Sequence, residues 1–492
     1  MANKQEGQLT VPADMRFAGL ALELVREVTA PAQLSDNQIK RLEQAVTAAF
    51  ANAVQHAYEP DEDGAVTVGV NLTAKTVSIA VRDGGIPFDA SLERLGESAA
   101  VGGNGVPTGL PLIRSVMDEV QWVSLGIAGK ELRMMLTLAG DQQEAEDQEN
   151  RVWVKKNKPP APPQTYTVRR LQPEDAVGVA RCFYDAYGYS YPSTYFYDPQ
   201  KILELNQAGS LISVVMISDL TGEVVGHCSA QRYGAGINAE CGQIVIVHAH
   251  QGRDFIPRFA EAIARESFQA GVRRLISHDV SSHPVTQRAT RSNGYNPVAL
   301  ALGTMPATLS FKKMNDALTQ RESCVVSMRF LTPPEGVVVY APLQHRDMLE
   351  RIYGFIGRPV TFQSLPLPDG PGETTVSLNR SWGIADIQVR RSGTDTAADV
   401  RQRLRDLIEI GDAQVVYLEL PLDQGGLDDI CRAAETEGFF FAGLGNSSVT
   451  DGESLFLQYL NTEIDLNHLR IATPKGKEIL NYVAGERRRL SR

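Results

Sequence analysis

The stretch AAFANAVQHAYEP, residues 48–60, sets Asn52 and His56 four positions apart, so on a helix both leave from one face, with Ala48 one turn earlier on it. Asn52 offers a neutral amide oxygen, a hard ligand suited to Mg²⁺ beside phosphate oxygens and water. A second stretch, DGGIPFD, begins at Asp83 on the end of an alternating strand pattern. A carboxylate there can accept from the exocyclic amine of a purine, and Gly85 lets backbone approach a ring with no side chain between. A third, GNGVPTGLPLIRSVMDEV, passes from a Gly-rich loop into a helix opened by Gly109. Free amides and the positive end of the helix dipole suit phosphate at such a place. Singly, each piece has an ordinary reading: Asp-x-Gly is a common turn, and Asn is common on helix surfaces. Their order along the chain favours a purine nucleotide site.

In order and wording these stretches resemble the ATP-binding fold of the gyrase, Hsp90, histidine-kinase and MutL superfamily, and within it the small bacterial anti-sigma factor serine kinases, over about residues 8–138. The resemblance implies ATP or ADP with Mg²⁺ as ligands. It makes Asn52 the magnesium ligand, Asp83 the adenine reader, Gly85 its partner, and Gly105, Gly109 and Leu110 parts of the phosphate loop. It also implies a glutamate one turn before the asparagine, where this chain has Ala48. A general base needs a titratable group within hydrogen-bond reach, and alanine has none. Glu43 lies nine residues before Asn52 and, at about 100° per residue, on the other side of the helix. Glu59 and Asp61 follow the helix in a turn. Pro107 stands at a family glycine position, removing one amide donor. The expectation is nucleotide binding with weak or absent phosphotransfer, and no catalytic residue is named.

From Tyr166 the succession YTVRRLQPEDAVGVARCFYDAYG, EVVGHCSAQRY and ECGQIVIVHAHQGRDFIPRF, ending in RSNGY, resembles the GCN5-related acetyltransferase fold over about residues 166–312. That resemblance implies acetyl-coenzyme A as a ligand, its pyrophosphate on backbone amides of a turn entering a helix. Val247, Gln251, Gly252 and Arg253 are the matching acyl-coenzyme contacts. Asp254 and Ile256 replace the turn glycines, and Thr290 stands four residues before Gly294 where a tyrosine acid is frequent. His248, His250 and His283 are titratable but isolated. A degenerate sensing or docking unit is the favoured reading. Residues 325–465 alternate strand and helix again, and DDICRAAETEGFFFAGL echoes QRATRSNGYNPVALAL, which suggests a diverged second copy of the half-fold. The run FFF at 439–441 reads as buried strand.

These sites need elements to hold them. LSDNQIKRLEQAVTAAFANAVQHAY is a helix with Ser35 as N-cap, AVTVGVNL and TVSIAVRD are strands, GLPLIRSVMDEVQW reads as helix and KELRMMLTL as a closing strand. The expected fold class is α+β multidomain: an α/β sandwich of the ATP-binding type, then two acetyltransferase-like mixed α/β domains. The expected divisions are 1–140, an acidic and Pro-rich linker at 141–165, 166–320, 321–465, and a basic tail at 466–492. A charge of −11 argues against nucleic acid as main partner. Cys182, Cys228, Cys241, Cys324 and Cys431 lack metal-like spacing and read as reduced thiols. The opening residues lack the apolar core of a secretory signal and no apolar run spans a membrane, so the cytoplasm is expected. By resemblance the partner is a protein, a sigma factor or an anti-sigma-factor antagonist, with a homodimer left open. The function expected is an ATP-binding regulator of anti-sigma type; the alternative is an active serine kinase or N-acetyltransferase.

Overall fold

The computed structural model describes residues 5–58, 64–85, 109–138, 165–232, 236–250, 255–307, 319–446 and 451–490. The first unit is a two-layer sandwich. Its antiparallel sheet has the order β1-β2-β3-β5-β4, with β1 Gln5–Pro12, β2 Ala65–Leu72, β3 Thr76–Asp83, β4 Glu119–Ser124 and β5 Lys130–Thr137. Helices α1 (Ala18–Thr29), α2 (Asp36–His56) and α3 (Leu110–Val116) cover one face. Strand alternation explains the arrangement: Val66, Val68 and Val70 with Val77, Ile79 and Val81 turn inward onto Leu42, Val46 and Phe50 of α2. Ser35 caps α2 in a reciprocal box with Gln38.

One expected element differs. The helix read through Trp122 stops at Val116, and Glu119–Ser124 pairs with β5 instead. The carboxylate of Asp118 fixes the change, accepting from the Thr137 amide at 2.6 Å and from Arg41 at 2.5 Å. With Asp118 held there, Val120 and Trp122 pack on the core of the sandwich.

Beyond it lies a single twelve-stranded sheet carrying two units of like connectivity. The first has β6 (Tyr166–Arg170), β7 (Leu211–Ser218), β8 (Val224–Arg232), β9 (Asn238–Ile246), β10 (Arg274–Val280), β11 (Asn296–Met305) and β12 (Glu322–Phe330). Its helices are α4 (Ala176–Tyr187), α5 (Pro199–Gln207), α6 (Ile256–Gln269) and α7 (Val285–Ser292). β9 and β10 are parallel with α6 between them in the chain; α7 and β11 follow, and β12 inserts between β10 and β11.

The second repeats this connectivity. β16 (Ile384–Arg391) and β17 (Val415–Pro421) are parallel across α9 (Thr396–Glu409); then come α10 (Leu427–Thr436) and β18 (Phe440–Asn446), with β19 (Glu453–Leu460) inserted between β17 and β18. β15 (Glu373–Asn379) forms the edge, and β13 (Val337–Val339) and β14 (Val360–Phe362) make a separate parallel pair flanking α8 (Arg346–Ile356). The repeats meet where β11 pairs with β18. Phe439, Phe440 and Phe441 are buried, as read. The C-terminal segment read as a tail is helix α11 (Pro474–Leu490), with Ile479 and Val483 in the core. The five cysteines are free thiols. Among the described residues no helix is long and apolar enough to cross a membrane.

Candidate nucleotide site

Asn52 lies near the end of α2, whose neighbours Ala49, Phe50 and Ala53 are buried in the sandwich. Burying those three leaves Asn52 half-exposed on the rim. Gly109 opens α3 directly against it. Its backbone, at φ 63° and ψ −136°, is one that side chains disfavour, and a methyl there would sit 3.3 Å from Asn52 Oδ1. Arg41, three turns back on α2, holds the far end of α3 by donating to the Val116 carbonyl at 2.8 Å. The sequence therefore brings the expected magnesium ligand and phosphate loop together. Pro111 in the first turn lacks an amide hydrogen, and Ile113 N–H is taken by the Gly109 carbonyl, so among the described residues Leu110 and Leu112 are the first-turn amides not taken within α3.

The base end is more crowded. Asp83 closes β3 with its side chain almost wholly out of water, and the directly opposite residue in β5 is Lys130. Lys130 Nζ lies 2.6 Å from Asp83 Oδ1, which also accepts the Gly85 amide at 3.0 Å. Burial pushes the Asp83 carboxyl above its ordinary value, against the pull of the Lys130 charge and hydrogen bond. Burial likewise draws the Lys130 ammonium down, against the Asp83 charge. The turn after β3 is pinned elsewhere too. Gly84 N–H donates to Tyr58 Oη at 2.9 Å, and that hydroxyl donates to the Ala65 carbonyl at 2.6 Å. A methyl on Gly85 would lie 1.9 Å from the Ala57 carbonyl oxygen, so glycine is required by packing on α2 as well as by any ring.

Ala48 sits half-buried on α2 with no group to titrate, and Glu43 is bound to Arg26 of α1 at 2.6 Å. Gly105, Pro107, Glu59 and Asp61 lie outside the described residues. The sequence reading missed Lys130 and Tyr58. What brings Lys130 to the site is strand pairing, which sets it directly against Asp83.

A model of the histidine kinase-like ATPase domain matches residues 11–136. The serine-protein kinase RsbW of Listeria innocua is 30% identical over 123 residues, which are 23% of this chain and 76% of that one. Through this unit the chain belongs to the RsbW-type histidine kinase-like ATPases. RsbW of Oceanobacillus iheyensis is 30% identical over 129 residues, 25% of this chain and 80% of its own. The RsbW-type unit is thus continued by two units that those relatives' matched regions do not include. Among solved structures the chain is similar to a spermidine N-acetyltransferase from Vibrio cholerae, 13% identical, with a TM-score of 0.28 over 34% of this chain and 94% of that one.

In the first unit of the twelve-stranded sheet, Gln251, Gly252, Arg253 and Asp254 lie outside the described residues. Val247 is described, with its amide donated to the Val225 carbonyl at 2.9 Å, and Ile256 begins α6. Thr290 gives its hydroxyl to the buried Asp279 at 2.9 Å, an acceptor that also takes Ser277 and Ser327. His250 Nδ1 is 2.9 Å from Tyr166 Oη, and the His248 amide donates to Asp185. These groups are engaged in holding the unit together.

Proposed function

We propose that this chain is a cytoplasmic ATP-binding regulatory protein of the anti-sigma-factor type, with little or no phosphotransfer, whose acetyltransferase-like units serve in sensing or docking. The observation that carries it is the α2 face. Asn52 is set against Gly109 as a phosphate and metal site needs, while the position one turn earlier is Ala48 and the nearest helix carboxylate, Glu43, is tied to Arg26. The residues fit nucleotide at the phosphate end. Asn52 would hold Mg²⁺, Leu110 and Leu112 amides with Gly105 would meet phosphate, and Asp83 with Gly85 would meet the base. Bound ATP supplies a transferable phosphoryl group, and nothing on the described α2 face is placed to deprotonate an acceptor.

The proposed divisions are 1–140, 141–165 and then two acetyltransferase-like units. The proposed boundary between them is the 320/321 of the sequence reading, extended past β12 on the support of its pairing between β10 and β11. Acetyl-coenzyme A remains a ligand to try on the first of them through Val247, Gln251, Gly252 and Arg253. The partner class that fits the relatives is a sigma factor or an anti-sigma-factor antagonist.

Calorimetry with Mg-ATP tests the reading. The native protein should bind, Asn52→Ala should weaken binding about tenfold or more, and native hydrolysis should be near background. Ala48→Glu should raise hydrolysis, since a restored general base is worth about 10²–10⁴ in rate. Brisk hydrolysis or phosphotransfer by the native chain overturns the proposal.

A further inference from the structure

The turn 83–85, proposed above to meet the base, is held from three directions inside its own unit. The Gly85 amide donates to Asp83, the Gly84 amide donates to Tyr58, and Gly85 is wedged against the Ala57 carbonyl. A fourth hold comes from outside. Tyr189, just past the end of α4 in the first acetyltransferase-like unit, donates its hydroxyl to the Gly85 carbonyl at 2.9 Å. The ring is itself fixed edge-on between Tyr184 and Tyr197, with centroids 5.0 and 4.9 Å away. A second contact runs beside it: the turn Gly126–Ala128, between β4 and β5, packs on Thr194–Tyr197.

We propose that Tyr189 is a positioning residue for the nucleotide site, so that the acetyltransferase-like unit sets how well the RsbW-type unit holds a purine base. The inference rests on the nucleotide reading given above. A base is recognised by hydrogen bonds whose geometry tolerates only a few tenths of an ångström, and a backbone already fixed in the bound geometry loses less freedom on binding. Tyr189 holds Gly85 by its carbonyl, and its hydrogen bond is to the turn at Asp83 rather than to Asn52 or Gly109. Its proposed effect is on the base, not on the triphosphate.

The test uses the full chain and two probes, Mg-ATP and Mg-tripolyphosphate, the second lacking a base. Tyr189→Phe removes only the hydroxyl. It should weaken Mg-ATP about three- to tenfold by calorimetry, the scale of one neutral hydrogen bond. Tripolyphosphate binding should stay unchanged. Tyr195→Phe is the control: its hydroxyl donates to Gln231 within the same unit, 3.0 Å away, and both probes should bind as to the native chain. If Tyr189→Phe binds Mg-ATP as well as or better than the native protein, the positioning role is overturned while the nucleotide site stands. If the native chain binds tripolyphosphate as tightly as ATP, no base is read at Asp83, and the site reading falls together with the inference.

Discussion

Lys130 puts an ammonium 2.6 Å from Asp83 where the two side chains are only 10% and 2% exposed. Neither charge is well solvated, and each is tolerable because of the other. Removing one partner from such a pair typically costs about 3–5 kcal/mol, whereas replacing both with groups of similar volume is often neutral. Lys130→Ala should therefore lower the melting temperature of the RsbW-type unit sharply in scanning calorimetry. The double change Asp83→Asn with Lys130→Met should recover most of the loss. Simple additivity of the two single changes would mean that the pair is not coupled. At this scale the sequence was partly readable. Asn52, Asp83, Gly85 and Gly109 could be chosen because their types and order suit a nucleotide. Lys130 could not, because its partner is set by the pairing of β3 with β5 across 47 residues of chain.

Among elements, α11 gives the clearest case of a segment whose role is tertiary. Read alone, its ERRR run is a solvated helix end. In the fold, Arg489 reaches Glu435 of α10 at 2.7 Å, and Tyr482 Oη lies 2.9 Å from His345 Nδ1. His345, Cys431 and Glu435 are close enough together to suggest a metal site. Glu435 Oε1, however, already receives Arg489, Gln344 at 2.7 Å and His345 Nε2 at 3.2 Å. A cation there would have to displace a guanidinium, so added zinc should leave the melting temperature unchanged. Burial favours the neutral form of Glu435, but its hydrogen bond from His345, the Arg489 charge and Gln344 outweigh burial and hold the carboxyl below its ordinary 4.5. A depressed carboxylate stabilises fully above the unfolded value and loses that contribution as pH falls through the lower folded one. The protection factors of α11 amides should therefore fall below about pH 4.5, and Glu435→Gln should abolish that dependence. A native α11 equally protected down to pH 3 would contradict this. Strand and helix types elsewhere were legible wherever one face alternates or caps locally, as in β2, β3 and α2. β4 was not, since MDEVQW has helical spacing and becomes a strand through its long-range pairing with β5, anchored by the Asp118 contacts with Arg41 and Thr137.

At the scale of the whole chain, the two tandem units share one sheet and one core, since Val298, Leu300 and Met328 of β11 and β12 lie in the same buried cluster as Leu349 of α8 and Ile479 and Val483 of α11, while their strand pairing is narrow. β11 and β18 pair at Ala299 and Gly443, where a methyl on Gly443 would fall 2.4 Å from the Ala299 Cα. Most of the remaining backbone bonding there comes from a side chain. The fully buried Gln458 of β19 accepts from the Leu302 amide at 2.9 Å and donates to the Leu300 carbonyl at 3.1 Å, standing in for a strand ladder along β11. Tyr417 adds a bond from its hydroxyl to the Leu302 carbonyl at 2.9 Å, and Arg274 of β10 pairs with Glu453 of β19 at 2.7 Å, both side chains buried. None of this was visible in the sequence, because every link joins residues more than a hundred positions apart. It implies that the tandem units unfold as one body, while the RsbW-type unit, which among the described residues touches them around Tyr189 and Thr194–Tyr197, unfolds separately. Gln458→Leu tests this. It keeps the volume but leaves a buried amide and a buried carbonyl without partners, at about 1–3 kcal/mol each. Scanning calorimetry of the native chain should show two transitions, and the variant should lower the tandem transition as a single unbroken peak without moving the other. If the peak instead splits, with only one of the tandem units destabilised, the shared sheet and core do not couple them.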